Sequence, residues 1–424
     1  MKKYGLTMMA GVAALAIASS ASAQTVTVHI GGSTACRAFV SDAIVNLLGG
    51  SSASTWSMAY QGTNPQKGYQ QEFVGTTTNG VLVHIHTSWA GSVGGIASLA
   101  TNNTVETGVW MASTNLVANG NGGVFYPANF GGGNQGYDIT TATPTADPNV
   151  APSEDAQVAD LAMSDSFTGA TPYKNLNITG AGDTKVAVLP FAWIRTPDST
   201  NALANMTPQL AKDILTAGYV PLSQFTGNSA DSNNYVICVG RDADSGTRVA
   251  AFAECGFGVY GLPKQWQVTA SGGIVSAIQL YPAQTINGVD YTAGQGGYAA
   301  GSGLKSAVNA TGAAAVTVAL PGKGSKTGCY TVGYVGGTDI SGVTQMTWNG
   351  FAYGGGTNAA SIAEGQYSFW CYEHLMYITG LSATKVPIAQ QIASGLKATS
   401  TQNGFINISD MHVVRTVDGG VVTR

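Results

Sequence analysis

Three times in this chain a short apolar strand runs into a turn of glycine, serine and threonine, and the turn opens directly into a helix. The first unit has Thr25 to Ile30 as strand and Gly31-Gly32-Ser33-Thr34 as turn. Its helix, Arg37 to Leu48, carries Phe39, Val40, Ala43, Ile44, Leu47 and Leu48 at helical spacing before Gly49-Gly50 ends it. The second reads Val81 to Ile85, then Ser88-Trp89-Ala90-Gly91-Ser92, then Val93 to Ala100. In the third, Tyr235 to Val239 enters Arg241-Asp242-Ala243-Asp244-Ser245-Gly246-Thr247, and Val249 to Cys255 continues as a helix. Lys185 to Leu189 is a further strand that leads through Pro190. Thr207 and Pro208 stand as N-cap and first residue of a helix over Gln209 to Leu215. Strands that alternate with helices predict an α/β fold with largely parallel sheets.

Such turns have a chemistry. A helix N-terminus presents unpaired N–H groups and the positive end of the peptide dipoles. Small residues let an anion reach those amides, and hydroxyls add directed donors. Serine and threonine also cap helices for structural reasons alone, so one such turn says little. Three of them, with Arg241 four residues before Ser245, point to a cradle for a small oxyanion.

Composition bears on the alternatives. The 424 residues include 57 glycines without a three-residue period, which excludes collagen. Only 9% of residues are charged and 44% are hydrophobic, unlike a charge-driven disordered chain. The net charge is −4 with no basic run, so nucleic acid is not an expected partner.

At the amino terminus, Lys2-Lys3, the apolar stretch Gly5 to Ile17 and Ala21-Ser22-Ala23 have the layout of a secretory signal peptide over residues 1–23, with Gln24 as the first mature residue. Export places the protein in the periplasm or at the cell surface. It also allows one or two disulfides among Cys36, Cys238, Cys255, Cys329 and Cys371. Cys238 and Cys255 are the pair most readily bridged, and one thiol must be left over. Two stretches break the strand–helix rhythm: Thr101 to Gln157, read as an inserted surface ribbon, and Gly294 to Gly328, small and flexible. His84 and His86 share one face of a strand and could ligate a metal, but no third ligand stands near them in sequence. They are read as structural, with no metal and no cofactor expected. Arg37 is read as a solvated surface residue, and Glu373-His374 as part of an aromatic packing stretch from Tyr367 to Tyr377.

The ordered motifs resemble the periplasmic phosphate-binding proteins of bacterial ABC transporters, within the type II substrate-binding fold. Val28 to Thr34 resembles their first strand and Gly-x-x-Thr turn, and Gly91 to Ile96 their Gly-Ser-x-Gly-Gly turn. Asp160 to Asp165 resembles Asp-Phe-x-x-Ser-Asp. Lys185 to Trp193 resembles the crossover strand, and Met206 to Gly227 the stretch after it. Arg241 to Thr247 resembles Arg-x-Asp-Gly-Ser-Gly-Thr, and Tyr330 to Gly336 the returning strand.

The resemblance implies two α/β lobes, each a mixed sheet flanked by helices. Residues 24–189 and 335–424 would form the first lobe, with an insertion over about 101–157, and residues 190–334 the second. Inorganic phosphate would bind between the lobes of a monomer and pass to a permease in the inner membrane, without covalent chemistry. The implied ligand shell is Thr34, Ala35, Ser92, Asp165, Arg241, Ser245, Gly246 and Thr247. Arg241 would contact two oxygens of the anion. Asp165 would accept the proton of a hydrogen phosphate and repel sulfate, which has none to give. The chain departs from the pattern at Ala35, where the family has a bulky residue. It departs again at Asp242-Ala243-Asp244, where the family's acid is displaced by one position to either side. Three other expectations remain open at this point: a cell-surface or biofilm protein that keeps the fold without transport, a binder of another tetrahedral oxyanion, and a phosphate-releasing hydrolase.

Overall fold

The computed structural model describes residues 25–53, 56–60, 64–100, 110, 117–118, 124–125, 158–178, 182–199, 201–286, 288–354 and 359–424. Residues 1–23, read above as a signal peptide, and almost all of the 101–157 stretch lie outside the described residues. The main strands are β1 (Val26–Gly32), β2 (Trp56–Tyr60), β3 (Gln70–Thr76), β4 (Leu82–Ser88), β5 (Leu161–Ser164) and β6 (Asp183–Arg195). They continue with β7 (Tyr235–Val239), β8 (Trp266–Ser271), β9 (Ile274–Leu280), β10 (Cys329–Gly336) and β11 (Trp370–Met376). The main helices are α1 (Arg37–Leu47), α2 (Ser92–Ser98), α3 (Pro208–Ala217), α4 (Gly246–Glu254), α5 (Gly301–Asn309) and α6 (Val386–Thr399).

The strands lie side by side in the order β9-β8-β7-β10-β6-β11-β5-β1-β4-β3-β2. The fold is α/β, but the pairing is mixed rather than largely parallel. β1 runs parallel to β4 and β5, and β7 parallel to β8 and β10; the other neighbours in this order are antiparallel. The parallel pairs belong to the strand–turn–helix units, whose crossover helices force that direction. Hairpins and returning segments supply the rest.

β6 joins the two ends of the sheet. Its residues Asp183 to Pro190 pair with β11, and Phe191 to Arg195 pair with β10. It therefore continues six residues beyond the Lys185–Leu189 strand read from the sequence. Pro190 is tolerated because the partner strand changes at this point, so no regular ladder demands its missing N–H. Phe191, Trp193, Val186 and Leu189 belong to one buried apolar cluster that extends to Phe39 on one side and Phe252 on the other. The carboxy-terminal segment also spans the two ends. Arg415, buried, pairs with Glu254 of α4 at 3.1 Å, donates to the Trp370 and Ser368 carbonyls, and lies over the Trp370 ring.

Local chemistry explains the elements. Thr207 caps α3, its hydroxyl accepting from Leu210 N at 3.2 Å, with Pro208 at the first position as expected. The glycine-rich 294–328 stretch is not a flexible excursion: it contains α5 and a small hairpin, Val318–Leu320 with Gly324–Lys326. Leu304, Ala307 and Val308 repeat at helical spacing and are buried, and Gly333 of β10 leaves room for Leu304 and Val308 to pack. All five cysteines are buried and free, so the bridge considered between Cys238 and Cys255 is not formed. Each of those two thiols faces a carbonyl of its own segment instead, Val239 and Phe252 respectively. Burial pushes the Cys255 and Cys329 thiols up to about 11 and Cys238 higher still, which keeps them unreactive.

Candidate functional site

The three small-residue turns meet one another. Gly91 N donates to Gly32 O at 2.9 Å, and Ser33 N donates to Met163 O of β5 at 2.9 Å. This stitches the first turn, the second turn and the strand leading to Asp165 into one surface. The third turn closes on it from the other end of the sheet, where Val93 N donates to Asp244 O at 2.9 Å. Gly91 has φ +122°, and a side chain there would strike that same Asp244 carbonyl, so both its conformation and its space require glycine.

At the middle of this seam sit Ser92, Asp165 and Gly246. Asp165 N donates to Ser92 Oγ at 3.3 Å. Gly246 begins α4, and a Cβ there would overlap Asp165 Oδ1 and come within 2.7 Å of Ser92 Cβ. Asp165 is buried, and its Oδ1 has no hydrogen-bond partner among the described residues. Burial raises its pKa, while the Ser92 hydroxyl and the charge of Arg241 pull the other way. An acceptor held next to donors and a guanidinium, with one lone-pair face uncommitted, is suited to a ligand that brings its own proton.

Arg241 is buried beside the seam. Main-chain carbonyls hold it: Nε donates to Tyr298 O at 2.9 Å and Nη2 to Ala299 O at 2.7 Å. Only Nη1 turns toward the third turn, 3.5 Å from Thr247 Oγ1. Two of its five N–H donors are thus committed to carbonyls, and the hydrogens of Nη1 and the second hydrogen of Nη2 remain to meet an anion. Ser245 caps α4, accepting from Arg248 N at 3.3 Å, which leaves its hydroxyl proton free to donate elsewhere. Thr34 and Ala35, half-buried, line a cavity of about 480 Å³ together with Arg37, Lys67, Ser302 and Asp339. Arg37, read as a solvated surface residue, is half-buried at this cavity. Its Nε donates to Thr34 O at 3.1 Å and its guanidinium stacks 4.5 Å from the Tyr69 ring centre.

Sequence reasoning passed over three buried groups around this site. Arg248, one turn into α4, donates from Nη1 to Arg241 O at 3.2 Å and Gln295 O at 2.7 Å, bracing the arginine loop from behind. Glu373, inside the aromatic stretch on β11, is fully buried, and burial and the charge of Asp165 raise it well above the carboxylate range. Asp418 accepts from Phe167 N at 2.9 Å, and burial pushes it up to about 6. No spacing in the sequence marks Glu373 or Asp418, because folding alone brings them beside Asp165.

These acids set a pH dependence of stability. A carboxyl raised in the folded state holds its proton there when the unfolded chain has lost it. Its stabilising contribution is complete below the unfolded value near 3.8 and is lost as pH rises through about 6. For Asp418 the swing is of order 3 kcal/mol. Thermal unfolding should therefore show a higher Tm near pH 5 than near pH 7.5, and Asp418→Asn should flatten the difference. Below about 3.8 the opposite sign takes over, because Asp160, whose pKa is lowered by His29 and Lys385, loses its partners on protonation. An Asp418→Asn profile as steep as wild type would remove Asp418 from this account.

No protein-family model matches this chain, and no curated protein matches it. Solved structures do resemble it. One, described as a phosphate ABC transporter substrate-binding protein with bound phosphate from Clostridium perfringens, is 12% identical, with 90% of this chain and 99% of that one covered at a TM-score of 0.47. An ABC-type phosphate transport receptor from Vibrio cholerae is also 12% identical, with 90% and 99% covered at 0.43. PstS from Borrelia burgdorferi is 11% identical, with 90% and 98% covered at 0.37.

Proposed function

We propose that this chain binds inorganic phosphate at the seam between its two lobes. The observation that carries the proposal is Asp165: a buried carboxyl, with one oxygen uncommitted, set among the Ser92 hydroxyl, the amide end of α4 and the charge of Arg241. Donors alone would suit any small oxyanion. A carboxylate among them favours an oxyanion that still carries a proton, which hydrogen phosphate does at neutral pH and sulfate does not. Thr34, Ala35, Ser245, Gly246 and Thr247 complete the shell in this reading.

The lobes would divide at Leu189–Pro190, where β6 changes partner strand, and rejoin near Tyr334. Closure of one lobe on the other around the anion, followed by delivery to a membrane permease, follows from the export segment and the motif order. No helix among the described residues is long and apolar enough to cross a membrane. The groups at the seam suit holding an anion rather than transforming it, so binding without turnover is proposed.

Isothermal titration of the mature chain with phosphate, arsenate and sulfate tests this. Saturable heat with phosphate and none with sulfate is expected. Arg241→Ala should weaken phosphate binding by about tenfold to a hundredfold, the loss of a hydrogen bond to a charged group worth about 1.5–3 kcal/mol. Absence of heat with phosphate at millimolar concentration overturns the proposal.

A further inference from the structure

We infer that Glu72 of β3 and His84 and His86 of β4 form a site for a divalent transition-metal ion, zinc being the best match. The register of β3 and β4 creates it. Glu72 stands directly opposite His86, and His84 lies two residues back on the same face. One ligand atom from each of the three lies within 4.8 Å of the others. His84 Nε2 and Glu72 Oε1 are in hydrogen-bond contact, and His86 Nδ1 is 3.9 Å from that same oxygen.

Two imidazoles and one carboxylate are the donor set of many zinc sites that keep a fourth position for water. Tetrahedral zinc with bonds of ~2.0–2.1 Å spaces its ligand atoms ~3.3 Å apart. Reaching that spacing requires the Glu72–His84 contact to open and the ligand atoms, now spread over as much as 4.8 Å, to close on a common centre, movements within the reach of side-chain torsions. The burial is informative. Glu72 is fully buried and the His86 side chain is 1% exposed, while the His84 side chain is 16% exposed and leaves an edge for entry.

The surroundings fix the histidines. His29 of β1, paired with His86 across the parallel ladder, stacks on it with ring centres 4.8 Å apart and planes 14° from parallel. His29 is held in turn by Asp160, which accepts from its main-chain N at 3.0 Å and pairs with Lys385 at 2.7 Å. The edge of Trp110 closes on the His29 ring. His29 is therefore a positioning residue for His86.

The experiment is titration of the untagged, chelator-treated chain with zinc alone, read by calorimetry and by the shift in Tm. One equivalent per chain should bind, and Tm should rise with zinc concentration. His84→Ala, at the exposed edge, should weaken binding by at least about tenfold and abolish the Tm shift. Glu72→Gln should do the same if it folds, and His84→Ala decides the matter if it does not. His412→Ala, at an exposed pair with Glu364, should change nothing. Failure of zinc to saturate the chain at sub-millimolar concentration overturns the inference. Binding that survives both His84→Ala and His86→Ala does so as well. Phosphate plays no part in this test, so its outcome is independent of the anion site.

Discussion

Alanine at position 246 should reduce phosphate affinity by a factor of about five to 150 without loosening helix α4. Gly246 is the first residue of that helix and is not in a left-handed conformation, so the backbone accepts a side chain. Intrinsic propensity even favours alanine within a helix, by about 1 kcal/mol. The entire penalty therefore comes from what the methyl meets, which is Asp165 Oδ1 and Ser92 Cβ across the seam. Both belong to the other end of the sheet, and Asp165 is buried with its own N–H on Ser92 Oγ, so it has little room to withdraw. Overpacking of this kind costs about 1–3 kcal/mol, which converts to a factor of about five to 150 in affinity. The same methyl should strain the Val93–Asp244 bond that closes the seam. Gly169→Ala, where a methyl meets nothing within 4 Å, is the control and should bind like wild type. Titration of both variants with phosphate checks the expectation. A Gly246→Ala protein that binds as tightly as wild type would place the anion elsewhere.

What could be read in the sequence depended on how local its cause is. The change from alternating to helical periodicity at Gly31–Arg37, Ser88–Val93 and Arg241–Val249 is a local signal, and the three units appear with bounds within a few residues of those expected. The Thr207-Pro208 cap is equally local. Strand direction is not local. The antiparallel partners of β6 are β10 and β11, which lie far along the chain, so alternation alone overstated the parallel share. Helix α5 was hidden because glycines at 301 and 303 mask a short apolar repeat that only packing against β10 rewards.

The same distinction runs through the candidate sites. Ser92 and Asp165 stand in recognisable motifs, and folding brings them into contact. The grip of the Tyr298 and Ala299 carbonyls on Arg241 spans more than fifty residues and has no sequence signature. His84 and His86 were visible as a pair, but Glu72 reaches them only through the hairpin register, twelve residues upstream of His84. A third ligand is easily missed when it arrives from a neighbouring strand rather than from a spacing.

Asp165→Asn should separate the two jobs assigned to this carboxyl. In the proposed site the uncommitted oxygen of the wild-type carboxylate would accept a hydrogen bond from hydrogen phosphate and would meet only lone pairs on sulfate. Asparagine keeps one acceptor oxygen but adds an N–H₂ donor and removes the negative charge. Phosphate then loses a charge-assisted bond worth about 1.5–3 kcal/mol, or about tenfold to a hundredfold in affinity. Sulfate gains a donor and is freed from repulsion, so its affinity rises while that of phosphate falls, and the discrimination collapses from both sides. Acid should imitate the substitution. Burial raises the pKa of Asp165, with Ser92 and Arg241 opposing, so it takes up a proton at a higher pH than an exposed aspartate would. A protonated Asp165 becomes a donor, and wild-type rejection of sulfate should weaken as pH falls. The asparagine variant has no proton to gain at this position and should show a flat sulfate response over the same range. Competition titrations of the two anions, run across pH on both proteins, measure this directly. If sulfate remains excluded from Asp165→Asn, selectivity resides in the donors of the seam, and Asp165 is there to join the lobes.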